Sequence, residues 1–254
     1  MTLPPVFRRL PFAHRALHDK TDRRPENSRA AMRAAIAAGY GIEMDLQLSA
    51  DGQAMVFHDY DLDRLTDEKG ALRLRRAADL GRIPLKHGDG EGIPTLAEVL
   101  ELVAGRAPLL IELKDQDGGM GPDIGALGAA TAAALQGYTG PVALMSFNPH
   151  AVAEMATLCP QIPRGLTTSD YDPEDWPLSR ATCDRLREIP DYAPTGSSFI
   201  SHEARDLARP RVAELKAQGA AILCWTIRSP EQEAAARRIA ENVTFENYFA
   251  PIPA

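Results

Sequence analysis

The sequence predicts a (β/α)8 barrel of the α/β class, with a hairpin extension at the second strand and a polar insertion after it. Three observations support this fold. Short apolar runs with strand character alternate with amphipathic helical stretches along all 254 residues. If the hairpin counts as one barrel strand, the alternation gives eight strand–helix units in about 250 residues, the usual size of such a barrel. Charged side chains also follow several predicted strands, at the ends where such barrels carry their active sites.

The composition fits one globular domain, which we expect to span residues 1–254. Apolar residues make up 44% of the chain, and the formal net charge of −7 argues against nucleic acid or an anionic membrane as a partner. Three widely spaced cysteines without metal-site spacing favour a reducing compartment, so we expect a cytoplasmic location. The sequence has no signal-peptide pattern and no apolar run of about 18 residues, so no integral membrane segment is expected. The oligomeric state stays open.

The first βα unit is predicted near the N-terminus. An apolar run over 10–13 forms a short strand that ends in His14 and Arg15. After a polar loop, Asn27 or Ser28 is expected to cap a helix with an apolar stripe.

A β-hairpin follows, predicted from Asp51-Gly52 between two runs of strand character. A two-residue turn there would pair Asp45 with His58 across the ladder. Glu43 and Asp45 are two residues apart, so both carboxylates leave the same face of the strand. The hairpin therefore predicts two acids and an imidazole close together. The alternative interpretation of the same residues is a polar, solvated hairpin at the edge of a sheet.

A polar connection over 59–94 is expected to be an insertion at the C-terminal face of the barrel. Thr95 then opens a capped helix, and the apolar run 108–114 predicts a buried strand with Glu112 and Lys114 at its end. Further strands are expected at 142–147, 162–167, 198–201, 221–227 and 242–246, with helices at 122–136, 149–158, 179–188, 209–218 and 230–240.

The charged strand ends suggest a chemistry. Three carboxylates, those of Glu43, Asp45 and Glu112, suit one hard divalent cation, Mg²⁺ or Ca²⁺. Arg15 and Lys114 suit an anionic group beside that cation.

Two histidines and a tryptophan complete the candidate site. His14 and His58 can serve as general base and general acid. Trp225, toward the end of the seventh strand, is a candidate wall against substrate carbons, with simple barrel packing as the alternative. Glu26 is a candidate for a water-mediated contact or for a helix-terminal acid. His202 is expected at the surface or at a helix start, with a place in the pocket lining as the alternative. A cation, two basic groups, an acid and a base together describe phosphoryl chemistry on a diester.

An ordered series of motifs resembles that of the glycerophosphodiester phosphodiesterase family and covers nearly the whole chain. The segments are His14-Arg15, Pro25-Glu26-Asn27-Ser28, Ile42-Glu43-Met44-Asp45, Asp51-Gly52, Val56-Phe57-His58-Asp59, Leu62-Asp63-Arg64-Leu65-Thr66, Ile111-Glu112-Leu113-Lys114, Ser146-Phe147 and Trp225-Thr226. The sequence departs from the family pattern at Ala16, where glycine is usual, and at Arg228 and Glu246.

The resemblance implies a barrel enzyme that hydrolyses glycerophosphodiesters to sn-glycerol 3-phosphate and an alcohol. It implies one divalent cation on the three carboxylates named above, acid–base catalysis by His14 and His58, and phosphate contacts from Arg15 and Lys114. It also implies that the segment after His58 partly covers the glycerol end of the substrate.

Two other functions remain open from the sequence. An acid-rich, metal-dependent lyase or aldolase would share the carboxylates, but it would not need the histidine pair or the two basic residues. A barrel that binds a phosphorylated metabolite without turnover would usually lack one of the histidines, and both are present here.

Overall fold

The computed structural model describes residues 2–253. Within this range, eight parallel strands with helices between them form a (β/α)8 barrel, as predicted, and a further antiparallel strand forms the hairpin. The strands are β1 (Phe12–Ala13), β2 (Gly41–Leu48), β3 (Ala54–Val56), β4 (Leu109–Leu113), β5 (Val142–Ser146), β6 (Arg164–Thr168), β7 (Phe199–Glu203), β8 (Ala221–Ile227) and β9 (Asn242–Phe245).

The helices fall close to their predicted places. They are α1 (Pro5–Arg9), α2 (Arg29–Ala38), α3 (Ala77–Leu80), α4 (Leu96–Val103), α5 (Leu127–Leu135), α6 (Pro149–Leu158), α7 (Arg180–Arg187), α8 (Pro210–Ala217) and α9 (Pro230–Ala236). The short α1 and α3 were not predicted, because five and four residues are too few to show a helical period.

Local capping explains several helix starts. Ser28, rather than Asn27, caps α2, because its side chain accepts a hydrogen bond from the backbone N–H of Ala31. Thr95 and Glu98 form the predicted reciprocal capping box at α4.

One compact unit comprises residues 12–114 and 125–142. In it, β1 and β4 both pair in parallel with β2, and the register sets Asp45 opposite Glu112. The far end of β2 leaves this ladder at Leu46 and pairs antiparallel with β3. A single strand therefore serves both the barrel and the hairpin, as the sequence predicted.

The predicted hairpin register was wrong by one residue. The backbone N–H of Phe57, not His58, donates to the carbonyl of Asp45, because the loop has three residues instead of two. Ser49 closes this loop, with its backbone N–H donating to the carbonyl of Gln53. Gly52 lies in the left-handed region at φ 77°, which is typical of three-residue hairpin loops.

The segment 59–94 has a hydrophobic cluster of its own. Its buried side chains pack against those of the second hairpin arm, and the cluster comprises Met55, Phe57, Leu62, Leu65, Leu72, Ala77, Leu80, Leu85 and Ile93. This burial orders a long connection that is mostly polar in sequence.

The other compact unit comprises residues 1–11, 115–124 and 143–254, of which the structure describes 2–253. Its strands β5 to β9 are parallel neighbours in chain order, and the register sets Thr168 opposite His202. Asn148 caps α6 through its side chain, directly before the proline at the first helical position.

Two further observations concern the described residues. All three cysteines, Cys159, Cys183 and Cys224, are buried free thiols. Between residues 2 and 253, no helix is long and apolar enough to cross a membrane.

We expect the hairpin loop to depend on glycine at position 52. A Cβ atom there would meet nothing within 4 Å, so the cost of Gly52→Ala comes from the left-handed backbone and should be about 1 kcal/mol. Gly52→Asn should cost less, since asparagine tolerates this conformation better. Denaturant unfolding of both variants measures the difference, and equal stabilities would contradict this account.

Candidate active site

Three carboxylates converge within the unit that contains residues 12–114. Glu43 and Asp45 lie on β2 and Glu112 lies on β4, and all three side chains are buried. Each offers a carboxylate oxygen, and these oxygens lie within 4.8 Å of one another. The alternation along β2 places its two acids on one face, and the parallel register adds the third.

The electrostatics of this group are unbalanced. Burial raises the pKa of Glu43 well above its usual value, and the nearby charges of Asp45 and Glu112 raise it further. Burial would also raise the pKa of Asp45, but Lys114, His58 and Arg15 outweigh it and hold that pKa below the usual range. The group can hold a divalent cation, because hard cations prefer oxygen ligands and this is a cluster of such donors.

Lys114 lies directly against two of the acids. Its Nζ atom is 2.9 Å from Asp45 Oδ1 and 2.7 Å from Glu112 Oε1. Burial alone would lower the pKa of this half-buried ammonium, but the two carboxylates raise it, so Lys114 stays charged.

Arg15 contacts the same group from the loop after β1. Its backbone N–H donates to Glu43 Oε2 at 2.8 Å, and its guanidinium Nε lies 3.7 Å from Asp45 Oδ2. Nη1 donates to Glu26 Oε1 at 2.8 Å. Arg15 and Lys114 thus place two positive charges beside three buried acids.

A left-handed turn brings Arg15 into this position. Arg15 and Ala16 have φ values of 51° and 64°, and the Ala16 N–H donates to the carbonyl of Glu43. Ala16 stands where the resembling family usually has glycine, the residue that enters this region without strain. The alanine therefore keeps the turn at a cost in backbone strain.

The two candidate catalytic histidines are both half-buried. His14 directly follows β1 and precedes Arg15. His58 follows the second hairpin arm, and its Nδ1 lies 2.7 Å from Asp59 Oδ1. If Nδ1 carries the proton given to Asp59, the opposite nitrogen, Nε2, is left to exchange a proton with another molecule.

Three side chains to which the sequence assigned no part in the site complete this group, among them Asn27, which was expected only as a possible helix cap. Asn27 donates through Nδ2 to Asp45 Oδ2 at 3.0 Å. Asp59 and Arg64 bind each other, and Arg64 also binds Glu26. Each lies within a motif segment quoted above, and this was the available signal.

The buried Glu26 is held by two arginines. Burial would raise its pKa, but hydrogen bonds and charge from Arg64 and Arg15 lower it, so the carboxylate is ionised. The structure thus gives Glu26 a direct ion-pairing role in place of the helix-terminal role considered from the sequence.

Trp225 belongs to an aromatic group in the unit that contains residues 143–254. Its half-buried indole donates through Nε1 to the carbonyl of Ser201 at 2.9 Å. Its ring packs edge-on against Phe147 with centroids 5.5 Å apart, and Phe147 in turn contacts Tyr171 and Trp176. Its predicted role against substrate stays a prediction.

Arg228 and Glu246, the two other positions at which the sequence departs from the family pattern, contact each other. Arg228 Nε donates to Glu246 Oε1 at 2.7 Å. Two substitutions that are separate in the sequence are therefore coupled as one ion pair.

His202 is fully buried within the same unit. Its Nδ1 lies 2.8 Å from Thr168 Oγ1 and its Nε2 lies 3.2 Å from Asp206 Oδ2. The expected surface or helix-start position is therefore wrong, because His202 is buried within β7. Both ring nitrogens have protein partners, which favours a structural role over the alternative place in the pocket lining.

The fold and the charged strand ends place this chain among α/β-barrel proteins whose functional side chains follow the strands. The model of the glycerophosphoryl diester phosphodiesterase family matches residues 14–244. The chain therefore belongs to this family, and the resemblance in its motifs is confirmed.

Individual relatives agree with this assignment. A glycerophosphodiester phosphodiesterase of Bacillus altitudinis is 38% identical over 109 residues, which cover 41% of this chain but only 43% of the relative. The protein YhdW of Bacillus subtilis is 29% identical over 218 residues, covering 83% of this chain and 84% of its own length. An Oleispira antarctica phosphodiesterase, solved with its product sn-glycerol-3-phosphate, is 26% identical with a TM-score of 0.73, and the match covers 93% of each chain.

The burial of His202 predicts a pH-dependent stability. Burial lowers the pKa of His202, although Asp206 opposes this effect. The unfolded chain then binds this proton more readily, so stability is full above the unfolded pKa of about 6.5 and is lost as the pH falls below it. Urea unfolding between about pH 7 and 5 should show a flatter profile for His202→Gln than for wild type. Substitution of the exposed His150 by Gln should keep the wild-type dependence of stability on pH. If His202→Gln shows the same pH dependence as the wild type, the role of His202 in this dependence is refuted.

Proposed function

We propose that this protein hydrolyses glycerophosphodiesters to sn-glycerol 3-phosphate and an alcohol, using one divalent cation and a pair of histidines. The observation that carries the proposal is the buried cluster of Glu43, Asp45 and Glu112 with Lys114 and Arg15 against it, in a chain of this family. The product bound to the Oleispira antarctica relative supports the choice of substrate class.

The three clustered carboxylates would hold the cation, Mg²⁺ or Ca²⁺. The donor set fits such an ion, since it consists of buried oxygens, and burial together with the charges of Asp45 and Glu112 raises the pKa of Glu43. When bound, the cation would stabilise negative charge on the phosphoryl oxygens.

Arg15 and Lys114 bind and orient the phosphate in this proposal. Their cationic groups already lie beside the carboxylates, at the distances given above, so an anionic substrate placed there would meet positive charge on two sides. The planar guanidinium of Arg15 can present two donors to the phosphate oxygens, whereas Lys114 acts as a point charge.

The histidines transfer the protons in the proposed reaction. His14 takes a proton from the attacking oxygen as the new P–O bond forms. This oxygen belongs either to water or to the glycerol 2-hydroxyl of the substrate, and in the second case water must then open the resulting cyclic phosphate to give glycerol 3-phosphate. His58 gives a proton to the leaving alkoxide as the other P–O bond breaks. The contact between His58 Nδ1 and Asp59 supports this role, because it leaves Nε2 to act.

We expect chelation to abolish hydrolysis of a glycerophosphodiester and added Mg²⁺ or Ca²⁺ to restore it. Glu43→Gln removes one oxygen donor charge and should lower kcat/KM at least about 100-fold at fixed cation concentration. Calorimetric titration with the metal alone should show weakened binding by this variant. Glu101→Gln, an exposed acid on α4, is the matched control and should leave both measurements unchanged. Full activity in chelator would refute the role of the cation.

We expect the two histidines to differ in their dependence on the leaving group. His58→Ala should slow an alkyl diester by about 10²–10⁴-fold but a nitrophenyl diester much less, because nitrophenolate leaves without a proton. His14→Ala should slow both substrates. The exposed His150→Ala is the control.

Equal effects of His58→Ala on the two substrates would contradict this division of roles. A wild-type protein that hydrolyses neither substrate, but retains a phosphorylated metabolite on calorimetry, would instead be the non-catalytic barrel. Turnover of a carbonyl substrate without diesterase activity would identify the lyase or aldolase.

A further inference from the structure

A series of side chains with alternating charge connects His58, the proposed general acid, with Arg15, the proposed phosphate-binding residue. His58 Nδ1 lies 2.7 Å from Asp59 Oδ1, and Asp59 accepts from Arg64 through both oxygens, at 2.7 and 2.9 Å. Arg64 also donates to both oxygens of Glu26, at 2.8 and 2.7 Å. Glu26 Oε1 then accepts from Arg15 Nη1 at 2.8 Å. The guanidinium of Arg64 thus lies between two carboxylates: that of Asp59, which contacts His58, and that of Glu26, which contacts Arg15.

Arg64 is the residue on which this series depends. Its guanidinium makes four hydrogen bonds to two carboxylates, and such paired contacts fix orientation as well as position. A lysine ammonium at this point is a compact charge without the planar fork that matches two carboxylates at once.

The backbone of Arg64 is held by the hydrophobic cluster of segment 59–94. Its neighbours Leu62 and Leu65 are both buried in that cluster. Thr66 closes the turn around it, since its backbone N–H and its hydroxyl both donate to the carbonyl of Leu62. The guanidinium therefore projects from an ordered turn.

Asp59 is well placed to orient an imidazole. Burial would raise its pKa, but hydrogen bonds from His58 and Arg64 lower it, so the group is an ionised acceptor. Because Arg64 binds both oxygens, the carboxylate cannot rotate away from His58 without losing those bonds.

We propose that Arg64 is a positioning residue for the diesterase reaction, because its one guanidinium orients His58 through Asp59 and Arg15 through Glu26. The inference rests on the function proposed above. It gives segment 59–94 a part in assembling the reaction groups, in addition to the covering role that the family resemblance implies.

Kinetics of Arg64 variants provide the first test. Arg64→Lys and Arg64→Gln should each lower kcat/KM for an alkyl glycerophosphodiester by at least about tenfold, with a smaller loss for the nitrophenyl diester, since misplaced His58 matters less there. Arg75→Gln is a matched control from the same segment. The two arginine side chains are 45% and 43% exposed, but among the residues that the structure describes Arg75 pairs with a single carboxylate, that of Glu68. It should stay within about twofold of wild type.

Rescue provides the second test. Arg64→Ala should recover activity on the alkyl diester when guanidinium ion is added at concentrations that leave the wild type unaffected. The partly exposed site makes such access possible. Ammonium at the same concentration should not restore activity, because it lacks the fork.

A spectroscopic measurement checks the contact independently of turnover. The imidazole ¹⁵N resonances of His58 should shift in Arg64→Gln and stay at their wild-type positions in Arg75→Gln. Unchanged His58 resonances in Arg64→Gln would overturn the proposal. Thermal unfolding of every variant, monitored in parallel, identifies any loss of fold.

Two kinetic outcomes would also overturn the proposal. One is activity of Arg64→Lys and Arg64→Gln equal to that of Arg75→Gln. The other is an equal loss on both substrates, with lowered Tm and no guanidinium rescue, which would make Arg64 a structural residue only. Failure of the proposed function is distinct, since the wild type would then hydrolyse neither diester while the His58 resonances could still be compared.

Discussion

The burial of three carboxylates beside one another is the constraint on which the candidate site depends. Like charges at this separation repel, and burial removes the water that would screen them. The protein offsets this with positive charge from two directions: Lys114 follows β4, which carries Glu112, and Arg15 comes from the loop after β1, on the other side of β2. The opposite pKa shifts of Glu43 and Asp45 show that this compensation is uneven, because Asp45 receives most of the positive charge. Burial and the neighbouring charges both disfavour the ionised form of Glu43, and the three acids form a group of oxygen donors that could hold a further cation.

The need to pair each buried charge with an opposite one extends outward from the carboxylates. Arg15 reaches them because its loop adopts a left-handed turn, and Glu26 then fixes the far side of its guanidinium. Glu26 is itself buried between Arg15 and Arg64, so each charge is paired with the next one outward. Beyond Glu26 the series continues through the partly exposed Arg64, where water can screen the charge, to Asp59 and His58.

The long polar connection shows how a few apolar residues can order a mostly charged segment. Its buried leucines and Ile93 belong to one cluster with Met55 and Phe57 of the hairpin, so burying them fixes the backbone from which Arg64 projects. The other compact unit carries buried polar pairs of its own. There Thr168 and Asp206 accommodate the ring of His202, and the half-buried Trp225 packs in an aromatic group.

The sequence predicted the barrel, most element boundaries and the carboxylate cluster. It could do so because these depend on short-range rules, namely strand alternation for Glu43 and Asp45, capping for Thr95 and Asn148, and charge at strand ends for Glu112 and Lys114. Tertiary structure alone decided the hairpin register, since one extra loop residue moves every pair along the ladder. It also decided that Arg64 meets Glu26 across 38 positions of the chain, that Arg228 meets Glu246, and that His202 is buried between Thr168 and Asp206. Such contacts between distant side chains follow from the path of the folded backbone, which no local period in the sequence encodes.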